Sequence, residues 1–166
     1  LADLDPREFD LFLDLLSEAL SRQDGTAGVV EATSIDGTLR LWDMETGAQL
    51  RVLEGHSAYV DNVKTLPGNR LLSWSGDGTL RVWDAEIGNT LVVMREREGF
   101  ISLCTGPQAR LVTSTSDPWG AAQDPAMRLW DWESGVLVAN LQGHRKEVIG
   151  FKFLSDGSLL SWSEDR

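Results

Sequence analysis

His56, Ser73 and Asp77 supply an imidazole base, a hydroxyl nucleophile and a carboxylate that could orient the base. When such a set meets at hydrogen-bond distance it performs acyl transfer. The set recurs as His144, Ser161 and Asp165, at a constant offset of 88 residues. Other reactive chemistry is thin. These are the chain's two histidines, and Cys104 is its single cysteine. No Cys/His spacing suits a metal ion, and no glycine-rich loop suits a phosphate. The Asp-Gly pairs lack the spaced carboxylates of a calcium loop. No cofactor and no metal are expected. A lone cysteine forms no internal disulfide and points to a reducing, cytoplasmic setting.

The segments that must position these residues repeat. Trp-Asp stands at Trp42-Asp43, Trp83-Asp84 and Trp130-Asp131, spaced by 41 and then 47 residues, within SIDGTLRLWD, GDGTLRVWD and PAMRLWD. Self-similarity at a period of this size marks a repeat architecture. The run from Leu71 to Asp77 matches the run from Leu159 to Asp165 at the same offset of 88, which also carries Gly55-His56 onto Gly143-His144. Short strands with Gly/Asp turns follow from Gly28 onward. They fall at 28–34, 38–43 and 48–53 in the first unit, and at 58–65, 70–75, 79–84 and 90–95 in the second. The third unit places them at 100–104, 109–115, 126–132 and 136–141, and the fourth at 147–153 and 158–163. Asp36-Gly37 and Asp77-Gly78 suit tight hairpin turns, where glycine supplies positive φ and Asp tolerates it.

Residues 1–27 read differently. Asp5, Pro6 and Glu8 form a helix start, and Phe9, Phe12, Leu13, Leu16 and Leu20 then lie on one helical face. This helix is either a cap on the sheets that follow or the last helix of a preceding domain. The segment from Gln23 to Gly28 is a short linker.

The path from Gly55-His56 to Trp83-Asp84 carries the full pattern of the WD-repeat family, and residues 28–166 resemble that family, its bacterial members most of all. The resemblance implies an all-β fold, a partial β-propeller of four-stranded antiparallel blades preceded by one α-helix. The blades fall at about 28–53, 55–95, 96–141 and 143–166, two complete and two partial. Since a closed ring needs about four or more blades, the chain is expected to be a fragment whose remaining blades come from missing parts of the same protein.

The resemblance also recasts the reactive trio. In the family the matching positions build a structural hydrogen-bond tetrad, here His56, Ser73, Asp77 and Trp83. The fourth unit repeats it as His144, Ser161 and Asp165 without the tryptophan. The third unit departs from the pattern: Glu96-Arg97 stand where Gly-His belongs, Thr113 takes the serine place, and Asp117 or Asp124 supplies the acid. That blade is therefore expected to lack the histidine link and to be the less stable of the two complete ones. Trp74 and Trp162 face the neighbouring blade together with Leu72 and Leu160.

The functional expectation is a non-catalytic protein-interaction scaffold or regulatory recognition module, and the alternatives are part of a propeller-based enzyme or the sensor arm of a larger bacterial signalling or effector protein. A net charge of −11 disfavours nucleic acid and leaves other proteins or peptides, basic ones among them, as partners. No 18-residue apolar run is present, so no membrane span is expected. SDPWGAAQDPA, inserted between the second and third strands of the third unit, makes Trp119 the leading partner-binding residue, joined by Tyr59 and Arg97. The competing reading folds Trp119 back over the adjoining blade.

Overall fold

The computed structural model describes residues 29–33, 35–43, 45–96, 100–116 and 127–165. The expected N-terminal helix, Arg97, Asp117, Trp119 and Asp124 lie outside the described residues.

The strands are β1 (Val29–Thr33), β2 (Leu39–Asp43), β3 (Gln49–Leu53), β4 (Val60–Leu66), β5 (Arg70–Ser75), β6 (Thr79–Asp84), β7 (Thr90–Arg95), β8 (Phe100–Thr105), β9 (Arg110–Ser116), β10 (Met127–Asp131), β11 (Val136–Leu141), β12 (Val148–Phe153) and β13 (Leu159–Ser163). They form four antiparallel meanders: β1-β2-β3, β4-β5-β6-β7, β8-β9-β10-β11 and β12-β13. Each expected strand has its counterpart, with ends shifted by a residue or two.

Local chemistry repeats from blade to blade. Where β5 turns into β6, the Asp77 carboxylate accepts the Thr79 backbone N–H at 2.8 Å and its hydroxyl at 2.6 Å. Gly78 beside it takes φ +72°, a conformation open to glycine at little steric cost. Asp36 and Asp156 do the same for Thr38 and Ser158. The Asp of each Trp-Asp pair has a different task. Asp43, Asp84 and Asp131 each accept two backbone N–H groups from the turn that follows, which fixes the turn into the next strand. The backbone N–H of Thr46, then that of Glu45, holds the Asp43 carboxyl below its ordinary pKa. Backbone and hydroxyl donation from Ser134 does so for Asp131. At each Trp the pairing register slips by one, between Leu41/Trp42, Val82/Trp83 and Leu129/Trp130. Such a bulge bends and twists the strand locally.

Three apolar clusters weld the blades face to face in chain order. Leu39, Leu41 and Leu53 of the first blade meet Val60, Val63, Leu71 and Trp83 of the second. Leu72, Leu80, Val82 and Met94 of the second meet Leu111, Trp130 and Trp132 of the third, with Trp74 packed partly buried alongside. Val112 and Met127 of the third meet Val148, with Leu141, Phe151 and Leu159 at the margin. Burying one such tryptophan stabilises by about 3 kcal/mol, so each junction is a small core in its own right. Trp132 reinforces the second junction: Arg70 of β5 stacks over its ring at 5.7 Å and pairs with Glu133 at 3.1 Å.

Candidate functional site

β5, β6 and the loop entering β4 converge on one node. His56 Nε2 lies 2.7 Å from Ser73 Oγ, His56 Nδ1 lies 3.1 Å from Asp77 Oδ2, and Trp83 Nε1 donates to Ser73 Oγ at 2.8 Å. Asp77 also accepts the Ser57 backbone N–H at 2.9 Å. The structure therefore brings together all four residues that the sequence groups. It adds Thr79, whose hydroxyl lies 3.1 Å from His56 Nδ1 and donates to Asp77.

Proton inventory fixes the roles. An ionised carboxylate accepts only, so His56 Nδ1–H donates to Asp77, Nε2 accepts the Ser73 O–H, and Ser73 Oγ accepts the indole N–H. Burial lowers the His56 pKa, against the opposing pull of Asp77, so the ring is neutral at pH 7. Burial raises the Asp77 pKa, but donation from Thr79, Ser57 and His56 outweighs it and leaves the value at about 2. The connectivity is that of a catalytic triad, yet Ser73 is fully buried and the indole occupies its acceptor side. No substrate carbonyl can reach it. Trp83 meets His56 edge to face, with ring centroids 6.0 Å apart, and seals the node from the first blade's side.

The fourth blade repeats the node in open form. His144 Nε2 lies 2.9 Å from Ser161 Oγ, and His144 Nδ1 lies 3.2 Å from each Asp165 oxygen. The His144 side chain is 23% exposed, against 0% for His56.

The third blade corrects the sequence reading, which left it without a link at this position. Glu96 carries the link. Its carboxylate, with 0% side-chain exposure, accepts from Thr113 Oγ1, from Trp130 Nε1 at 3.1 Å and from Arg128 Nη1 at 2.6 Å. Trp130 Nε1 also donates to Thr113 Oγ1 at 2.9 Å, as Trp83 does to Ser73. A carboxylate brings a charge where imidazole is neutral, and the Arg128 guanidinium neutralises it. The sequence held a signal for this: Glu96 precedes Thr113 by 17 residues, the separation of His56 from Ser73 and of His144 from Ser161. Alignment on the Trp-Asp pairs placed Arg97 at the histidine position instead.

Of the partner-binding residues read from the sequence, Tyr59 is described. It is 48% exposed, and its ring lies over Gly76, where an added Cβ would come within 2.7 Å of the ring. Two residues on, Asp61 is the extra residue of a bulge in β4. Its Oδ2 finds no hydrogen-bond partner among the described residues, and burial, then the Asp77 charge, raises its pKa. Trp162 and Leu160 are 45% and 52% exposed, in contrast to the packed Trp74 and Leu72. Among the described residues no His, Cys, Asp and Glu cluster could hold a metal ion.

Comparison with known proteins agrees with this geometry. Residues 47–84 match the family model described as WD domain, G-beta repeat. The chain is 40% identical over 45 residues to apoptotic protease-activating factor 1 of Mus musculus, a stretch covering 27% of this chain and 4% of that protein. The chain therefore spans a small part of the curated relative it matches. Among solved structures it is similar to the computationally designed protein Ika4, with 27% identity, a TM-score of 0.62, and coverage of 81% of this chain and 84% of that one. The designed protein Ika8 matches with the same identity and TM-score over 81% of this chain and 42% of that one. A family match across most of one complete unit, four-stranded meanders in series and an indole-to-hydroxyl node in both complete blades make this chain a member of the WD-repeat family.

Proposed function

We propose that the chain is a non-catalytic recognition module of the cytoplasm, whose welded blades hold exposed residues against other proteins or peptides. WD repeats in general mediate protein interactions and scaffolding. The observation that carries the reading here is the closed node: the set that could act as nucleophile and base is buried and satisfied by Trp83. Its chemistry is therefore spent on rigidity, which a recognition surface needs, because a pre-ordered surface loses little entropy on binding. The net charge of −11 favours basic segments as partners through attraction at encounter, and the single thiol fits a reducing compartment.

Tyr59 and Trp119 are the proposed contact residues. The test is affinity capture and titration with the parent chain and its Tyr59→Ala and Trp119→Ala variants. A partner held by the parent and lost by at least one variant, with unchanged unfolding midpoints, supports the reading. A partner bound equally by all three removes both residues from the surface. Hydrolytic turnover that disappears in Ser73→Ala while the fold persists would overturn the non-catalytic assignment.

A further inference from the structure

The open node of the fourth blade borders a cavity of about 470 Å³ lined by Met127, Leu141, Gly143, His144, Ser161 and Asp165. The same place is filled twice elsewhere in the molecule. In the second blade Trp83 occupies it, donating to Ser73 and lying in one apolar cluster with Leu39 and Leu53. In the third, Trp130 occupies it, donating to Thr113 and clustered with Leu80 and Met94. Met127 and Leu141 stand in their own sheet where Leu39 and Leu53 stand in theirs, paired across the third and fourth strands.

The glycines give an independent measure. A Cβ on Gly55 would come within 2.8 Å of Arg81 Nη1 and 3.1 Å of Trp83 Cη2, whereas a Cβ on Gly143 would meet nothing within 4 Å. The backbone at Gly143 is thus shaped for an indole and a guanidinium that the described residues do not supply. Beside the cavity, β13 pairs with β12 along one edge, and its other edge has no partner strand among the described residues.

We propose that the cleft between the third and fourth blades is a strand-accepting site that takes an extended segment carrying Trp-Asp, the tryptophan entering the cavity and donating its N–H to Ser161. This site is separate from the exposed surface around Tyr59 and stands whether or not that surface binds a partner. Main-chain pairing along β13 provides affinity and the indole pocket provides selectivity, the division of labour in strand addition generally. The register follows from the filled sites. Trp83 pairs with Leu71 and Arg81 with Ser73; Trp130 pairs with Leu111 and Arg128 with Thr113. The incoming strand therefore sets its tryptophan opposite Leu159 and a basic residue opposite Ser161. A bare loop or a helical segment satisfies neither the edge nor the pocket.

The probe is a synthetic peptide copying residues 78–95, the third and fourth strands of the second blade, titrated into the 166-residue chain. Calorimetry and the ring resonances of His144 serve as readouts. The expected result is saturable one-to-one binding that shifts the His144 resonances and leaves those of His56 in place, and that weakens at least tenfold when the peptide's tryptophan is replaced by alanine. The variation sits in the peptide, so the fold of the chain is unaffected. Absence of saturable binding at millimolar peptide, or equal binding of the alanine peptide, would overturn the proposal. Self-association that buries His144 and excludes the peptide at every concentration would also overturn it, assigning the cleft to a second copy of the chain.

Discussion

Replacing Ser73 and Ser161 by alanine, one at a time, tests whether the indole converts a surface hydrogen bond into a buried one. Ser73→Ala removes an oxygen that accepts from Trp83 at 2.8 Å and bonds His56 at 2.7 Å. Both groups are buried, so both are left unsatisfied. At about 1–3 kcal/mol for each orphaned group, the expected loss is about 3 kcal/mol, a large part of the stability of an ordinary domain. At about 4 °C per kcal/mol for a chain of this size, the midpoint falls by about 10 °C. Ser161→Ala breaks a bond of similar length to His144, but no indole depends on it, and water reaches the 23% exposed imidazole. Its expected cost is under about 1 kcal/mol. Urea unfolding followed by tryptophan fluorescence and circular dichroism measures both variants. Equal losses, or a loss under about 0.5 kcal/mol for Ser73→Ala, would refute the reasoning, because the node would then owe nothing to its closure.

Glu96→Ala should cost about 3 kcal/mol, since it takes the carboxylate from a buried pair with Arg128 and an acceptor from Trp130; Glu96→Gln should cost less. Hydrogen exchange across β8–β11 is the measurement, and because a buried ion pair returns little net stability after desolvation, the parent third blade should remain less protected than the second. Gly37→Ala should destabilise by about 2 kcal/mol in urea titrations, for Gly37 holds φ +78° and an added Cβ would press within 2.7 Å of the His56 carbonyl oxygen. Stability should also fall with acid in two stages. Below about pH 6.5 the unfolded chain binds a proton that folded His56, its pKa lowered, does not. Between about pH 4 and 2 protonation of Asp77, at about 2 when folded, removes a further 1–2 kcal/mol or so, allowing for solvent screening. Asp77→Asn should flatten the second stage in urea midpoints measured against pH.

Strand positions were legible because period and turn chemistry agree in each unit. Apolar alternation places Leu39 and Leu41, Leu80 and Val82, or Met127 and Leu129 on one face, and an Asp-Gly turn ends the strand before. What alternation does not reveal is the bulge at each Trp-Asp pair, since the extra residue, Leu50, Leu91 or Val138, is as apolar as its neighbours. Trp132 was illegible for another reason. Ala85 stands at the corresponding place after Asp84, so the repeat gave no notice that this position could enter the core with Arg70 stacked on it.

The polar node was legible only where chemistry and spacing coincide. His56, Ser73, Asp77 and Trp83 carry both. Glu96 carries the spacing with different chemistry, and a reading that searches for histidine passes over it. The physical demand at that position is weaker than residue identity suggests. A hydroxyl held by an indole needs one further partner on the entering loop, neutral imidazole in the second blade and a neutralised carboxylate in the third. The two solutions differ in what they require nearby. Imidazole relies on an aspartate in the following turn, as Asp77 serves His56, whereas the carboxylate relies on an arginine on the third strand, as Arg128 serves Glu96. That difference freed the connection between β9 and β10 from supplying the acid, and this connection is where the insertion bearing Trp119 lies. A blade whose lock no longer depends on its turn can lengthen that turn at small entropic cost, so in this chain the exchanged lock and the leading recognition loop belong to the same blade.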